Sequence, residues 1–199
     1  MSTIRASLLA ALAALLLATA ACDKLSAPRS PFHGTDVTGL EVPGLQLTDP
    51  AGQPRSLAEF RNKLVVVIFG FTQCPDVCPT TLRDYADAMK ALGKDASQVQ
   101  VLFVTVDPKR DTAELLRQYV GAFDPRFIGL RGEGDALARV VKDFHIYVDT
   151  HPGRTPDSYT VDHSSQVFIF DRAGKLRLMI NAGTPSADIA SDLRVLLDN

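Results

Sequence analysis

The sequence has no tryptophan, only three cysteines and almost no excess of charge of either sign. The formal net charge of -2 argues against nucleic-acid binding, because that function usually needs a basic face. No block of like charge suggests an interaction tail, and there is no internal repeat or low-complexity tract. The 199 residues suffice for one well-buried domain with an N-terminal extension and are few for two domains.

The three cysteines occupy two different contexts. An odd number of cysteines in an exported protein leaves one thiol to be explained. Cys22 lies at the end of the N-terminal segment, whereas Cys74 and Cys78 form a close pair in the middle of the chain. Position therefore accounts for the odd number.

The N-terminal segment has the layout of a secretory signal peptide. A positive charge at Arg5 precedes an apolar run over residues 6–21 that ends in small residues. A cysteine directly after small residues resembles the bacterial lipoprotein box, which predicts removal of residues 1–21 and lipidation of Cys22. The alternative is an uncleaved anchor, although the run is slightly short of the roughly 20 residues that a spanning helix needs.

Either alternative places the remaining chain outside the cytoplasm at a membrane. Asp23 follows the lipidation candidate, which in some bacteria favours retention in the inner membrane. We therefore expect a lipid-anchored protein on the periplasmic face of the bacterial inner membrane. Residues 22–31 are rich in Ser, Pro and charge and are typical of a tether. Residues 32–199 form the predicted domain.

The domain alternates short apolar runs with helical periodicity. The predicted strands cover residues 45–47, 63–71, 99–106, 127–130, 166–170 and 176–180, the last two joined as a hairpin. The predicted helices cover residues 79–92, 111–123, 135–144 and 184–197. Alternating strands and helices imply a sheet with helices on its faces, and the final hairpin makes that sheet mixed. This predicts an α/β protein of the thioredoxin-like class.

The segment from Phe69 to Pro79 carries the most chemical information. Cys74 and Cys78 lie four residues apart, where a buried strand ends and a helix begins. Free backbone N–H groups and partial positive charge at a helix N-terminus favour thiolate over thiol. Residues four apart on a helical turn can close a strained disulfide or grip one soft metal ion. The redox and metal interpretations both stay open on spacing alone.

A metal held by two thiolates needs a further ligand. The best candidate is His163, which closely precedes the strand over residues 166–170. A residue entering a central strand can face a loop that leaves another strand at the same sheet edge. Two thiolates and one imidazole suit copper, and they also suit zinc if a fourth ligand is present.

These motifs resemble the Sco/SenC family. Residues 70–79 look like its Cys-Pro-x-x-Cys-Pro signature, and residues 161–164 (VDHS) look like its copper-ligand histidine motif. Residues 34–39, 106–112 and 127–130 also match its pattern, so the resemblance covers about residues 32–197. It implies that Cys74, Cys78 and His163 bind copper.

The resemblance also implies a role in building the copper sites of cytochrome c oxidase. The expected partners are the copper-bearing subunit of that oxidase and other copper or thiol carriers. Such a protein is a copper chaperone rather than an enzyme in the strict sense. The rival hypothesis is a thiol-disulfide oxidoreductase that reduces the copper-ligand cysteines of its target through the redox-active pair Cys74 and Cys78. A peroxidase is a weaker third alternative.

Other polar residues near these motifs receive plainer interpretations. Asp107 ends a buried strand close to the expected site and is predicted to fix a loop or to support the metal ligands from behind. Asp76, between the cysteines, is predicted to be solvated. The three remaining histidines are predicted to be surface or core-edge residues: His33, His145 and His151.

Overall fold

The computed structural model describes residues 30–155 and 158–198. The predicted signal peptide, the lipidation site at Cys22 and all but the last two residues of the tether lie outside these ranges. Among the described residues, no helix combines the length and apolar character that crossing a membrane requires.

In the part of the chain that the structure describes, ten strands form one large sheet and two small hairpins. The strands are β1 (Thr35–Asp36), β2 (Gln46–Thr48), β3 (Pro54–Ser56), β4 (Leu64–Gly70), β5 (Val99–Thr105), β6 (Ile128–Leu130), β7 (Val148–His151), β8 (Thr160–His163), β9 (Val167–Phe170) and β10 (Leu176–Ile180). The large sheet has the order β1-β10-β9-β4-β5-β6. Strands β4, β5 and β6 are parallel, whereas β9, β10 and β1 join by antiparallel pairing. The predicted mixed sheet is confirmed.

Within residues 30–155 and 158–198, four α-helices flank this sheet. They are α1 (Val77–Leu92), α2 (Ala113–Gly121), α3 (Asp135–Asp143) and α4 (Ser186–Asp198). Two 3₁₀ helices, Leu57–Phe60 and Gly93–Gln98, precede β4 and β5. Thr112 caps the start of α2, because its hydroxyl accepts a hydrogen bond from the Leu115 N–H at 3.2 Å. Helix α1 begins two residues before its predicted start, so Cys78 lies in its first turn.

The central strands are apolar because both faces of the sheet are covered. Every residue of β4, β5 and β9 is buried, as expected for strands inside such a sheet. The rings of Phe69, Phe144 and Phe168 meet edge to face, with centroids 5.1–6.0 Å apart. These aromatic contacts tie β4 and β9 to the end of α3.

The β7–β8 hairpin was not predicted. Only Val161 is buried along β8, and β7 is exposed except at Val148, which is half-buried. These strands carry no run of apolar residues, so the apolar patterns that revealed the large sheet could not reveal them. Strands β1 and β3 were missed for the same reason, because neither holds a buried residue.

Strand register brings distant segments to one edge of the sheet. Gly70, the last residue of β4, pairs with Thr105, the last residue of β5. Val167, the first residue of β9, pairs with Ile68 near the same end of β4. The loops after β4 and β5 and the segment that enters β9 therefore meet at this edge.

A buried carboxylate anchors the start of the domain. Asp192 on α4 is fully buried and accepts hydrogen bonds from the backbone N–H groups of His33 and Gly34, each at 2.8 Å. These bonds hold the chain where it approaches β1 at the edge of the sheet. Asp188, one turn earlier on the same helix, is 38% exposed and only 3.7 Å from His33 Nδ1.

We expect Asp192→Ala to lower the free energy of unfolding by about 2–4 kcal/mol, because it removes two hydrogen bonds to a buried charged group. Urea denaturation measures this change. The matched control is Asp188→Ala, whose exposed carboxylate should contribute less than about 0.5 kcal/mol. Equal effects of the two substitutions would show that Asp192 is not an anchor.

Candidate metal centre

The cysteine pair lies at the junction between β4 and α1. Cys78 is only 2% exposed, whereas Cys74 lies in the preceding loop and is partly exposed. The Cys78 N–H donates to Cys74 Sγ at 3.4 Å, so the first sulfur is turned toward the start of the helix. Both cysteines carry free thiols.

Burial dominates the acidity of the inner thiol. It raises the pKa of Cys78 well above the usual range, with a smaller contribution from the hydrogen bond to the Cys74 thiol. The prediction that the helix N-terminus favours a thiolate is therefore wrong for Cys78. The free-energy cost of removing water from a buried thiolate exceeds the stabilisation that the helix N-terminus provides.

The His163 ring is fixed with one nitrogen directed at Cys78. Its Nδ1 lies 2.7 Å from the backbone carbonyl oxygen of Ser164, which can only accept a hydrogen bond, so Nδ1 carries the proton. In the neutral imidazole, Nε2 is then the nitrogen with the lone pair, and it lies 3.6 Å from Cys78 Sγ. The Phe71 ring meets the imidazole edge to face at 5.9 Å. This tautomer leaves the lone pair needed by a metal or by a thiol proton.

The distance between Cys78 Sγ and His163 Nε2 fits a shared metal ion. Typical zinc bonds are about 2.3 Å to sulfur and about 2.0–2.1 Å to nitrogen, so one ion could bind both atoms at their 3.6 Å separation. Across residues 30–155 and 158–198, however, no three His, Cys, Asp or Glu side chains are gathered tightly enough to hold an ion as they stand.

A groove of about 550 Å³ opens beside these side chains. Its lining includes Cys74, Val77, Tyr159 and His163. Cys78 is buried behind this lining. A partner that enters the groove meets Cys74 and His163 first, and we therefore regard them as the accessible side of the centre.

Comparison with known proteins shows the family of this chain. The family model described as SCO1/SenC matches residues 38–198. The chain belongs to the SCO1/SenC family. It is 33% identical over 157 residues to a SCO2-like protein of Rickettsia prowazekii, which covers 76% of each chain. The mitochondrial SCO2 homologue of Mus musculus is 37% identical over 130 residues, 64% of this chain and 51% of that protein. The chain thus spans about half the length of the vertebrate relatives that it matches.

Solved structures confirm the thioredoxin-like fold of this SCO1/SenC protein. The copper-bound ScoI of Bradyrhizobium japonicum is 34% identical and superposes with a TM-score of 0.73, covering 79% of this chain and 100% of that one. The apo Sco1 of Thermus thermophilus is 37% identical with a TM-score of 0.76, covering 83% and 97%.

The end of β4 requires glycine in this SCO1/SenC protein. A Cβ atom at Gly70 would lie 2.8 Å from both Cys78 Sγ and the Phe103 ring. The absence of a side chain therefore creates the space in which the inner thiol sits. Sequence reasoning did not single out this glycine, because nothing in the pattern shows which side of the strand the thiol occupies.

Asp107 does not lie directly against the cysteine pair. Its buried carboxylate pairs with Arg110 Nε and accepts a hydrogen bond from the Tyr159 hydroxyl at 2.6 Å. Burial and this hydrogen bond raise the pKa of Tyr159 to about 12. Tyr159 also lines the groove. A direct role of Asp107 toward the metal ligands stays a prediction.

The sequence did not single out Asp111, which is fully buried beside the site. It accepts hydrogen bonds from the Thr72 N–H at 3.0 Å, the Thr72 hydroxyl at 2.6 Å and the Thr105 hydroxyl at 2.5 Å. Its only visible signal was its place at the start of a capped helix. The predicted surface positions of Asp76, His33, His145 and His151 all agree with their exposure.

We expect alkylation by iodoacetamide to modify Cys74 more than about tenfold faster than Cys78 at neutral pH. Cys74 is accessible, and each unit by which a pKa is raised lowers the thiolate fraction about tenfold. The Cys78 rate should still climb above pH 9, because its proton is retained to higher pH. Peptide mapping of the reduced protein measures both rates, and the guanidinium-unfolded chain is the control. Equal rates in the folded protein would contradict the buried position of Cys78.

Proposed function

We propose that this protein is a copper chaperone that holds one copper ion with Cys74, Cys78 and His163. In this proposal it delivers the ion to the copper-bearing subunit of cytochrome c oxidase. The observation that carries it is the approach of His163 Nε2 to within 3.6 Å of Cys78 Sγ, with the Nδ1 proton already committed to a carbonyl oxygen. The copper-bound ScoI, at 34% identity over its whole chain, supports copper as the cargo.

The donor set explains why copper is suited to this position. Thiolates are soft ligands that select copper(I), and imidazole binds copper in either oxidation state. Copper binding must displace the Cys78 proton that burial retains. Copper affinity should therefore fall as pH falls, because protons compete for the same sulfur.

The positions of the two sulfurs fit loading and release. Cys78 is fixed on the first turn of α1, whereas Cys74 belongs to the loop before it. A change in the Cys74 side chain and its loop would complete the site without moving the helix. The same residue faces the groove, so an acceptor thiolate would replace Cys74 first and copper would pass by ligand exchange.

A thiol-disulfide oxidoreductase is the second candidate function. It is favoured by two free thiols placed so that the Cys78 N–H reaches Cys74 Sγ. The exposed Cys74 would attack a disulfide of the target, and Cys78 would then release the reduced target by forming the intramolecular disulfide. This reaction needs both cysteines but no metal ligand, so His163 distinguishes the two functions.

We expect His163→Ala to weaken copper(I) binding by about 10–100-fold, because it removes one of three ligands. A competition titration of the reduced full-length Cys22→Ser protein against a copper(I) chelator measures this loss. His151→Ala is the matched control, since His151 is an exposed histidine on the same hairpin. One copper per chain in both the parent and the control supports the proposal. Unchanged affinity in His163→Ala, with full disulfide reductase activity, would favour the oxidoreductase.

The proposal includes lipid anchorage through Cys22 at the periplasmic face of the inner membrane. Its support is the layout of residues 1–22 in the sequence. Cys22→Ser should release the protein from the membrane fraction and abolish labelling by a fatty-acid analogue. Fractionation of cells that express the full chain measures both results. Membrane retention of the variant without label would indicate the uncleaved anchor instead.

A further inference from the structure

The loop after β5 contacts both halves of the candidate metal centre. We call residues 107–111 the bridge segment. On the cysteine side, Asp111 holds the backbone N–H and the hydroxyl of Thr72 at 3.0 and 2.6 Å. Thr72 lies two residues before Cys74. The bridge segment thus fixes the start of the loop that carries the outer thiol.

On the histidine side, the bridge segment holds Tyr159 at two points. Arg110 Nη1 donates to the Tyr159 carbonyl oxygen at 2.8 Å. The Tyr159 hydroxyl donates to Asp107 Oδ1 at 2.6 Å. Tyr159 immediately precedes β8, the strand that ends at His163. Both contacts therefore fix the entry of the strand that delivers the histidine.

Aromatic contacts extend from Arg110 to the His163 ring. The Arg110 guanidinium lies 3.7 Å from the centroid of the Tyr159 ring and 5.7 Å from that of the Phe71 ring. Phe71 in turn meets the His163 imidazole edge to face. Arg110 thus contacts both Tyr159, which precedes the strand of His163, and Phe71, which packs against the His163 ring.

The environment of Arg110 is costly for a purely structural residue. Its side chain is only 11% exposed, and its buried Nη2 has no hydrogen-bond partner within residues 30–155 and 158–198. A buried unsatisfied donor lowers stability and calls for an explanation. A role in placing a ligand is such an explanation, because the planar guanidinium serves two hydrogen bonds and two ring faces at once.

We propose that Arg110 is a positioning residue. Together with Asp107 and Tyr159, it fixes the position of His163 relative to Cys78. The proposal rests on the proposed function, since it assigns these residues to a copper ligand. Arg110 acts through His163 and does not touch the metal. Loss of its planar side chain should let β8 shift, so that His163 Nε2 no longer faces the inner thiol.

The test is a double-mutant cycle on copper(I) affinity in the reduced full-length Cys22→Ser protein. Arg110→Lys keeps the charge but loses the fork and the stacking, and we expect about 10–100-fold weaker binding, as for other residues that orient metal ligands. Tyr159→Phe removes only the hydroxyl and should cause a smaller loss. Arg117→Lys is the control, because Arg117 forms an exposed ion pair with Glu114 on α2.

The decisive comparison uses the His163→Ala background. If Arg110 acts through His163, Arg110→Lys causes no further loss of affinity there. Nitrogen hyperfine coupling in the copper(II) complex should also weaken in Arg110→Lys and Tyr159→Phe but persist in Arg117→Lys. Thermal unfolding confirms that each variant is folded. If Arg110→Lys does not fold, the copper affinity and nitrogen coupling of Tyr159→Phe test the proposal instead.

Two results would overturn the positioning role. One is unchanged copper affinity and nitrogen coupling in both variants, and the other is an equal loss with and without His163. Both leave the copper chaperone standing, provided that His163→Ala alone still weakens binding. If His163→Ala has no effect on affinity, the ligand assignment itself fails and the positioning proposal falls with it.

Discussion

The candidate centre depends on the pairing of β4 with β5 on one side and β9 on the other. Parallel pairing ends β4 and β5 together at Gly70 and Thr105, and antiparallel pairing starts β9 beside Ile68. A shift of one residue in either register would exchange the side chains between the two covered faces of the sheet, so close packing on both faces fixes the register. Residues separated by 85 positions, Cys78 and His163, meet as a consequence.

The energetics of the site follow from its depth. Cys78 lies against the core in the space that Gly70 leaves, so its thiol is desolvated and retains its proton. A metal ion can take that proton's place, because a thiolate bound to a cation is no longer an isolated buried charge. Cys74 lines the groove and is partly exposed. In the proposed function, this difference in burial would give one sulfur that holds copper and one that exchanges it.

The sequence predicted the large sheet except its edge strand β1, the helices and the three candidate ligands, because each of these leaves a local pattern. Long apolar runs mark β4 and β5, and the paired cysteines mark the strand-to-helix junction. The β7–β8 hairpin left no such pattern, since it is largely exposed. The contacts of Asp111 with Thr72 and of Arg110 with Tyr159 join residues 39 and 49 positions apart. Only the assembled sheet shows these partners.

One expectation failed because two physical effects compete at the same atom. The helix N-terminus favours a thiolate, and the sequence shows that helix start. Burial disfavours the thiolate, and the burial of Cys78 depends on Phe103 and Gly70 from two strands. The local effect was visible in the sequence, and the larger tertiary effect was not.

The most direct test of the account is X-ray absorption at the copper edge for the reduced protein loaded with one equivalent of copper(I). The account predicts two sulfur ligands and one imidazole nitrogen, contributed by Cys74, Cys78 and His163. Such a spectrum would show that the outer thiol completes the arrangement seen between Cys78 and His163. A copper ion with sulfur ligands only, or with no sulfur ligand at all, would contradict the assignment.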